Sequence, residues 1–214
     1  ADGAAHGAIR ITAEAGWAEM EAFDPAAGSG SMTLSVWANW HETTAAQQNL
    51  ETAAYPEADS LTAPEALTAD NHWQHLCITY GPAQAVIYID GLPAAEGPWI
   101  LPENTRAILT LGAAGGGQQP FCGDLDDLRI YNYALTGTQV AEVYYEMTGR
   151  GVCLPEFTDP CDRTGPEGQP DCIVDLYDLA DLADQWLILY DFESFSDFSE
   201  SWQAEYFYPD SSTH

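Results

Sequence analysis

Apolar and polar residues alternate along the first two-thirds of this chain. Met32, Leu34, Val36 and Ala38 take every second position against Thr33, Ser35, Trp37 and Asn39, and Ile9 and Ile11 bracket Arg10 in the same way. A period of two places each set on one face of an extended segment, so these stretches predict half-buried β-strands. Leu76, Ile78 and Tyr80 share one face of a further strand, and Ala85 to Ile89 forms another that runs into Asp90-Gly91. Asp-Gly between two apolar runs predicts a tight hairpin, because both central turn positions favour residues that tolerate positive φ. Ala107 to Leu111 and Leu125 to Tyr131 complete the set. Between Trp40 and His72 the text is rich in Gln, Ala, Thr and Pro, and little alternation is visible.

The period changes at Thr136. Thr-Gly-Thr-Gln places a hydroxyl and an amide for a capping box ahead of Val140, Val143 and Tyr144, which predicts one short helix after the last strand. Residues 149–170 then read as a linker of Pro, Gly and Asp. Beyond it, Leu176, Leu179, Ala183, Trp186 and Leu187 recur near helical spacing, with Asp175 suited to the N-cap and Asp178 to the third position. The last stretch, 188–214, mixes aromatic and acidic residues and shows weak strand-like alternation at most. The expected organisation is a β domain over 1–148, a loop-and-helix segment over 149–187, and an acidic, aromatic tail over 188–214. The expected fold is all-β: an antiparallel two-sheet jelly-roll sandwich with one short covering helix and a small C-terminal helical appendage, since each strand face must be buried against a second layer.

Charge narrows the function. The 214 residues carry 34 acidic and 5 basic side chains, a formal charge of −29. All five basic residues are arginines, so no basic stripe exists to displace counterions from a phosphate backbone, and nucleic acid is excluded as a partner. The same deficit argues against anionic lipid, and no apolar run approaches the roughly 20 residues of a spanning helix. So large an imbalance repels itself unless cations reduce it, which makes divalent cations a natural expectation.

Five cysteines without a Cys-x-x-C pair, beside seven tryptophans and no lysine, fit an oxidising, extracellular setting. Cys153, Cys161 and Cys172 crowd where a small core needs a covalent staple, so one disulfide is expected within this trio. Cys77 and Cys122 either pair or stay as buried thiols. The opening Ala-Asp-Gly-Ala-Ala-His has neither a basic nor an apolar segment, so a secretion signal is removed before this point or lies outside this stretch.

Trp73-Gln-His-Leu-Cys-Ile-Thr-Tyr80, Ala85-Val-Ile-Tyr-Ile-Asp-Gly91 and the run from Gly123 to Leu135 arrive in an order and spacing that resemble the LamG-like, concanavalin A-type jelly-roll family. The resemblance covers roughly Gly7 to Thr148 and implies two stacked antiparallel sheets of the laminin G and lectin type. The segment after it resembles a dockerin-type half EF-hand. That likeness implies a calcium loop in which Asp162, Asp171, Asp175 and Asp178 supply carboxylates and Ile173 a carbonyl, with Cys172 where such loops prefer glycine. The plainer reading of the same cluster is a solvated acidic helix with ordinary N-capping.

Other constellations admit a sharp and a plain reading in the same way. Alternation puts Glu19 and Glu21 on one strand face about 7 Å apart, a faint echo of glycosidase carboxylate pairs, although a solvent-facing edge carries such pairs by default. His72 and His75 stand three apart on a strand, hence on opposite faces, and cannot share zinc. Asp124, Asp126 and Asp127 beside Arg129 read as loop-holding aspartates more readily than as a second calcium site. Trp40 and Trp99 are the candidates for stacking on sugar rings, with core packing as the ordinary alternative. The expectation is therefore a secreted, non-catalytic recognition or adhesion module, stabilised by calcium, whose partner is a glycan or an extracellular protein. The alternative is a subunit that builds a homo-oligomer or filament by exchanging strands or tail, and a glycoside hydrolase comes last.

Overall fold

In a computed structural model the described residues are 9–11, 18–23, 30–41, 51–53, 60–62, 72–98, 107–111, 121–157, 159–166, 168, 170–186 and 190–209, with backbone alone at 9–11, 18–23, 51–53, 60–62, 107–111 and 192. The chain divides into two compact units, Ala1–Val140 and Ala141–His214.

The first unit is antiparallel β. Its main sheet has six strands in the order β1 (Ile9–Ile11), β10 (Gly123–Tyr131), β3 (Met32–Trp40), β6 (Trp73–Tyr80), β7 (Ala85–Ile89) and β8 (Leu92–Gly97). Two smaller ladders pair β2 (Ala18–Phe23) with β9 (Ala107–Leu111) and β4 (Glu51–Ala53) with β5 (Ser60–Thr62). The last pair lies in the stretch with little alternation, and each of its strands is three residues long. The Asp90-Gly91 hairpin forms as its composition predicts, with φ of 51° and 83°. The Asp90 carboxylate accepts the His75 N–H at 2.9 Å.

One face of the main sheet is the apolar core of Val36, Ala38, Trp40, Leu76, Ile78, Ile87 and Ile89, with Leu34, Tyr80, Phe121 and Leu125 against it. The other face is where the structure departs from the half-buried expectation. Thr33, Ser35, Trp37, His75, Cys77 and Thr79 on that face are all buried. β3 and β6 are central strands covered on both sides, so their polar residues must find partners inside the protein. They do. The Thr33 hydroxyl donates to the Tyr133 carbonyl and accepts from the Leu135 N–H, each at 2.9 Å, and Ser35 Oγ meets His75 Nε2 at 2.8 Å. Cys77 remains a thiol, pushed up to about 12 by burial and therefore inert.

Helix α1 (Gly137–Thr148) starts with the predicted capping box: the Gln139 N–H donates to Thr136 Oγ1 at 3.3 Å and the Thr136 N–H to Gln139 Oε1 at 3.0 Å. The second unit holds a 3-10 turn (Pro155–Phe157), α2 (Leu176–Asp184) and α3 (Phe192–Glu200). Helix α3 replaces the weak strand-like tail of the sequence reading. Asp191 caps it, accepting from the Glu193 and Ser194 N–H groups, and Phe198 enters a core with Cys161, Val174 and Leu182. The chain after α3 then pairs within its own unit, Tyr208 with Val152 and Glu205 with Ile173. A disulfide joins Cys153 to Cys172, within the expected trio, while Cys161 and Cys122 stay reduced. Closing a loop with a separation of 19 residues stabilises the unit by about 3 kcal/mol. Among the described residues no helix is long and apolar enough to cross a membrane.

Burial, seconded by the Arg129 charge, holds His75 down at about 4 against its ordinary 6.5, with Asp127 opposing weakly. The imidazole is thus neutral in the fold but takes a proton more readily in the unfolded chain. Its contribution is whole above pH 6.5 and is lost as pH falls toward 4, about 3 kcal/mol in all. Urea unfolding at pH 7 and pH 5 should show a drop in midpoint for the native chain and a much smaller one for His75→Gln; equal drops would remove His75 from the account.

Candidate functional site

Within the first unit, polar chemistry gathers at the end of the main sheet where β3 leaves it. Asn39 pairs in register with Trp73 on one side and with Asp124 on the other. Directly opposed residues of antiparallel strands share a face, with Cβ atoms about 4.5–5.5 Å apart. The three side chains therefore form a row across β10, β3 and β6. His41 lies just past the strand end, its N–H continuing the ladder to the Cys122 carbonyl at 3.1 Å and its Nε2 meeting Asp124 Oδ2 at 2.9 Å. The close approach of β10 to β3 here depends on Gly123, where a Cβ would collide with the Asn39 carbonyl and the Phe121 ring.

The row is open at one end. Trp73 is 38% exposed, whereas His75, two residues on along the same face, is fully buried. Asp124 is nearly covered, and Asn39 Oδ1 is buried with no hydrogen-bond partner among the described residues. Next to the row, Asp126 Oδ1 accepts the Asp127 N–H at 2.8 Å and Asp127 pairs with Arg129 at 2.8 Å, across a register shift where Asp127 has a φ of 47°. These aspartates hold a strand irregularity, the plainer of their two sequence readings.

Of the two tryptophans proposed for sugar stacking, Trp40 is a core residue. Its ring packs edge-on to Phe121 at 5.1 Å and is 8% exposed, so its faces are already taken. The pattern held this information: Trp40 has the parity of Met32, Leu34, Val36 and Ala38, the apolar set. Trp99 lies outside the described residues, as do the side chains of Glu19 and Glu21. His72 is exposed, whereas His75 is buried against Ser35.

In the second unit the four predicted calcium carboxylates sit around one loop. Asp178, wholly buried, accepts the Arg163 and Thr164 N–H groups on Oδ1 at 2.6 and 2.9 Å and the Asp175 N–H on Oδ2 at 2.9 Å. Asp162 accepts the Asp171 and Cys172 N–H groups at 3.1 and 2.8 Å, one on each oxygen. The two buried carboxylates thus clasp the two ends of the loop 163–172. Burial first, and the neighbouring Asp178 and Asp171 charges after it, lift Asp162 above the usual carboxylate range against the pull of those amides. Asp171 accepts the Ile173 N–H and Asp175 caps α2 by accepting the Tyr177 N–H. Cys172 has a φ of 64°, the left-handed backbone for which such loops prefer glycine.

Calcium ligands lie 2.3–2.6 Å from the ion, so ligand oxygens on opposite sides are at most about 5 Å apart. No three of Asp162, Asp171, Asp175 and Asp178 bring an oxygen each within 4.8 Å of one another; among the described residues the one group that close is Cys153, Asp162 and Cys172, and its sulfurs are the disulfide. The folded carboxylates are amide acceptors and do not form a cage, so the donor set does not fit the ion as it stands. Asp159 adds a third clasp. Burial alone would raise its pKa, but the Cys161 N–H and the Tyr206 and Ser201 hydroxyls donate to it and hold it below the ordinary value.

Comparison with known proteins finds a likeness within the first unit. Residues 49–141 match the concanavalin A-like lectin/glucanases superfamily. The match stops short of the segment that begins at residue 149. Among solved structures, domain 4 of an extracellular arabinanase from Geobacillus stearothermophilus, determined in complex with arabinotriose, is similar with a TM-score of 0.51 at 20% identity, over 67% of this chain and 79% of that one. The binding domain of Paraclostridial Mosquitocidal Protein 1 gives 0.50 at 14% identity, over 71% of this chain and 46% of that one. At such identities the likeness is one of fold. No curated protein sequence matches the chain.

Asp178→Ala leaves three N–H groups without their acceptor and should cost about 3 kcal/mol in urea unfolding; a loss under about 1 kcal/mol would contradict the clasp. Thermal unfolding in excess chelator and in excess calcium should coincide. A midpoint that rises with calcium would show that the carboxylates turn to gather the ion.

Proposed function

We propose that the first unit is a non-catalytic glycan-recognition module working in an extracellular setting. The superfamily matched by residues 49–141 contains both lectins and glucanases, and what favours the lectin side is the state of the described carboxylates. Hydrolysis of a glycosidic bond needs two carboxyl groups with separated proton affinities and free access to the bond. Among the described residues, Asp90, Asp124, Asp126 and Asp127 are instead each engaged within the sheet, by the His75 N–H, His41, the Asp127 N–H and Arg129 in turn, while the side chains of Glu19 and Glu21 lie outside the described residues. That engagement is the observation that carries the reading. The likeness in fold to domain 4 of an arabinanase, determined in complex with arabinotriose, supports it.

On this reading the second unit is a small covalently stapled module. Its loop is closed by the Cys153–Cys172 disulfide and by Asp162 and Asp178 on backbone amides. Affinity electrophoresis through gels containing soluble arabinan, xylan, galactan or glucan tests the function. Retardation by at least one polysaccharide, without release of reducing sugar, is expected. Unretarded migration in all of them would defeat glycan recognition, and released sugar would move the chain to the glucanase side.

A further inference from the structure

We infer that the row Asp124–Asn39–Trp73, with His41 at its end, is the binding site and that it takes neutral rather than acidic glycans; the inference rests on the glycan reading above. Sugar recognition asks for two things in one place: a flat apolar surface for the C–H face of a ring, and fixed hydrogen-bonding groups beside it for hydroxyls. The row supplies both. Trp73 is exposed at the start of a strand whose next six residues are buried. An indole left open there, at a sheet end, is not filling the core.

The polar half is held in place by the ladder. Asp124 has its carboxylate oriented by His41 Nε2 at 2.9 Å, and Asn39 sits between Asp124 and Trp73 in direct register with both. Carboxylate, amide and imidazole together offer acceptors and donors to adjacent hydroxyls, which both give and take hydrogen bonds. Asn39 Oδ1 is a buried acceptor without a partner among the described residues. An orphan of this kind is costly, and a ligand hydroxyl returns that cost once it displaces what covers the oxygen.

Charge chooses the class of sugar. The chain carries −29 and no lysine. Arg10 stands in backbone register with Asp124, one basic residue for one acidic residue at that position of the ladder, and Arg129 is paired with Asp127. The row therefore has no surplus positive charge to offer a uronic or sialic acid, and the field of the whole molecule repels one.

Titration calorimetry on the full chain tests this with arabino-, xylo- and manno-oligosaccharides as neutral probes and oligogalacturonates as acidic ones. Binding of a neutral probe is expected, weakened at least tenfold by Trp73→Ala, partly restored in Trp73→Phe, and weakened several-fold by His41→Ala, with unchanged circular dichroism throughout. Neutral binding untouched by all three variants would overturn the site while leaving glycan recognition standing. Preference for oligogalacturonates would overturn the charge argument. Absence of heat with every probe, together with unretarded electrophoresis, would overturn the glycan reading itself.

Discussion

The register of the central strand β3 against β6 and β10 is the constraint on which the rest depends. A slip of one residue would move every side chain of Met32–Trp40 to the opposite face. It would drive Thr33, Ser35 and Trp37 into the apolar core and set Val36 and Ala38 among the buried polar groups of the other face. Both faces of this strand are buried, so neither slip has a tolerable outcome. The same register that packs the core aligns Asp124, Asn39 and Trp73 across three strands. Site and core are set by one ladder.

Function follows from what the ladder leaves over. Inside the sheet, buried polar groups are consumed in pairs such as Ser35 with His75, and the strand carboxylates hold turns, irregularities and ends. At the sheet end the pairing stops, and an indole and an amide remain beside a carboxylate steadied by a histidine. The second unit solves a different problem. Too small for a large core, it joins its segments by a disulfide and lets buried aspartates accept backbone amides, so that negative charge becomes a means of closing a loop.

Much of this was legible in the chain itself. The strands around Met32–Trp40, Trp73–Tyr80 and Ala85–Ile89, the Asp90-Gly91 turn, the Thr136–Gln139 cap and the Asp175–Asp178 cap rest on local rules of period and hydrogen bonding, and local rules survive into the fold. Helix α3 was legible too, in Asp191 followed by Ser194 and in Phe192, Phe195 and Phe198 at threefold spacing, but serine and aspartate dilute the apolar stripe and mask the period. The loop carboxylates were placed at the right turn of the chain, whereas their partners were not, because backbone amides are invisible in a pattern of side chains. Burial of the second face of β3 was out of reach for the same reason: alternation gives the faces, and tertiary packing decides what covers them. The misplaced aromatic is instructive. Parity assigns Trp40 to the core and Trp73 to the other face, and exposure at the strand end then distinguishes Trp73 from the buried Trp37 beside it.

The most direct test follows the indole signals of the seven tryptophans in a nitrogen-15-labelled chain as a neutral oligosaccharide is added. The account predicts that the Trp73 Nε1–H resonance moves saturably while that of Trp40, sealed against Phe121, stays in place. Movement confined to tryptophans of the second unit, Trp186 or Trp202, with Trp73 unmoved, would contradict it.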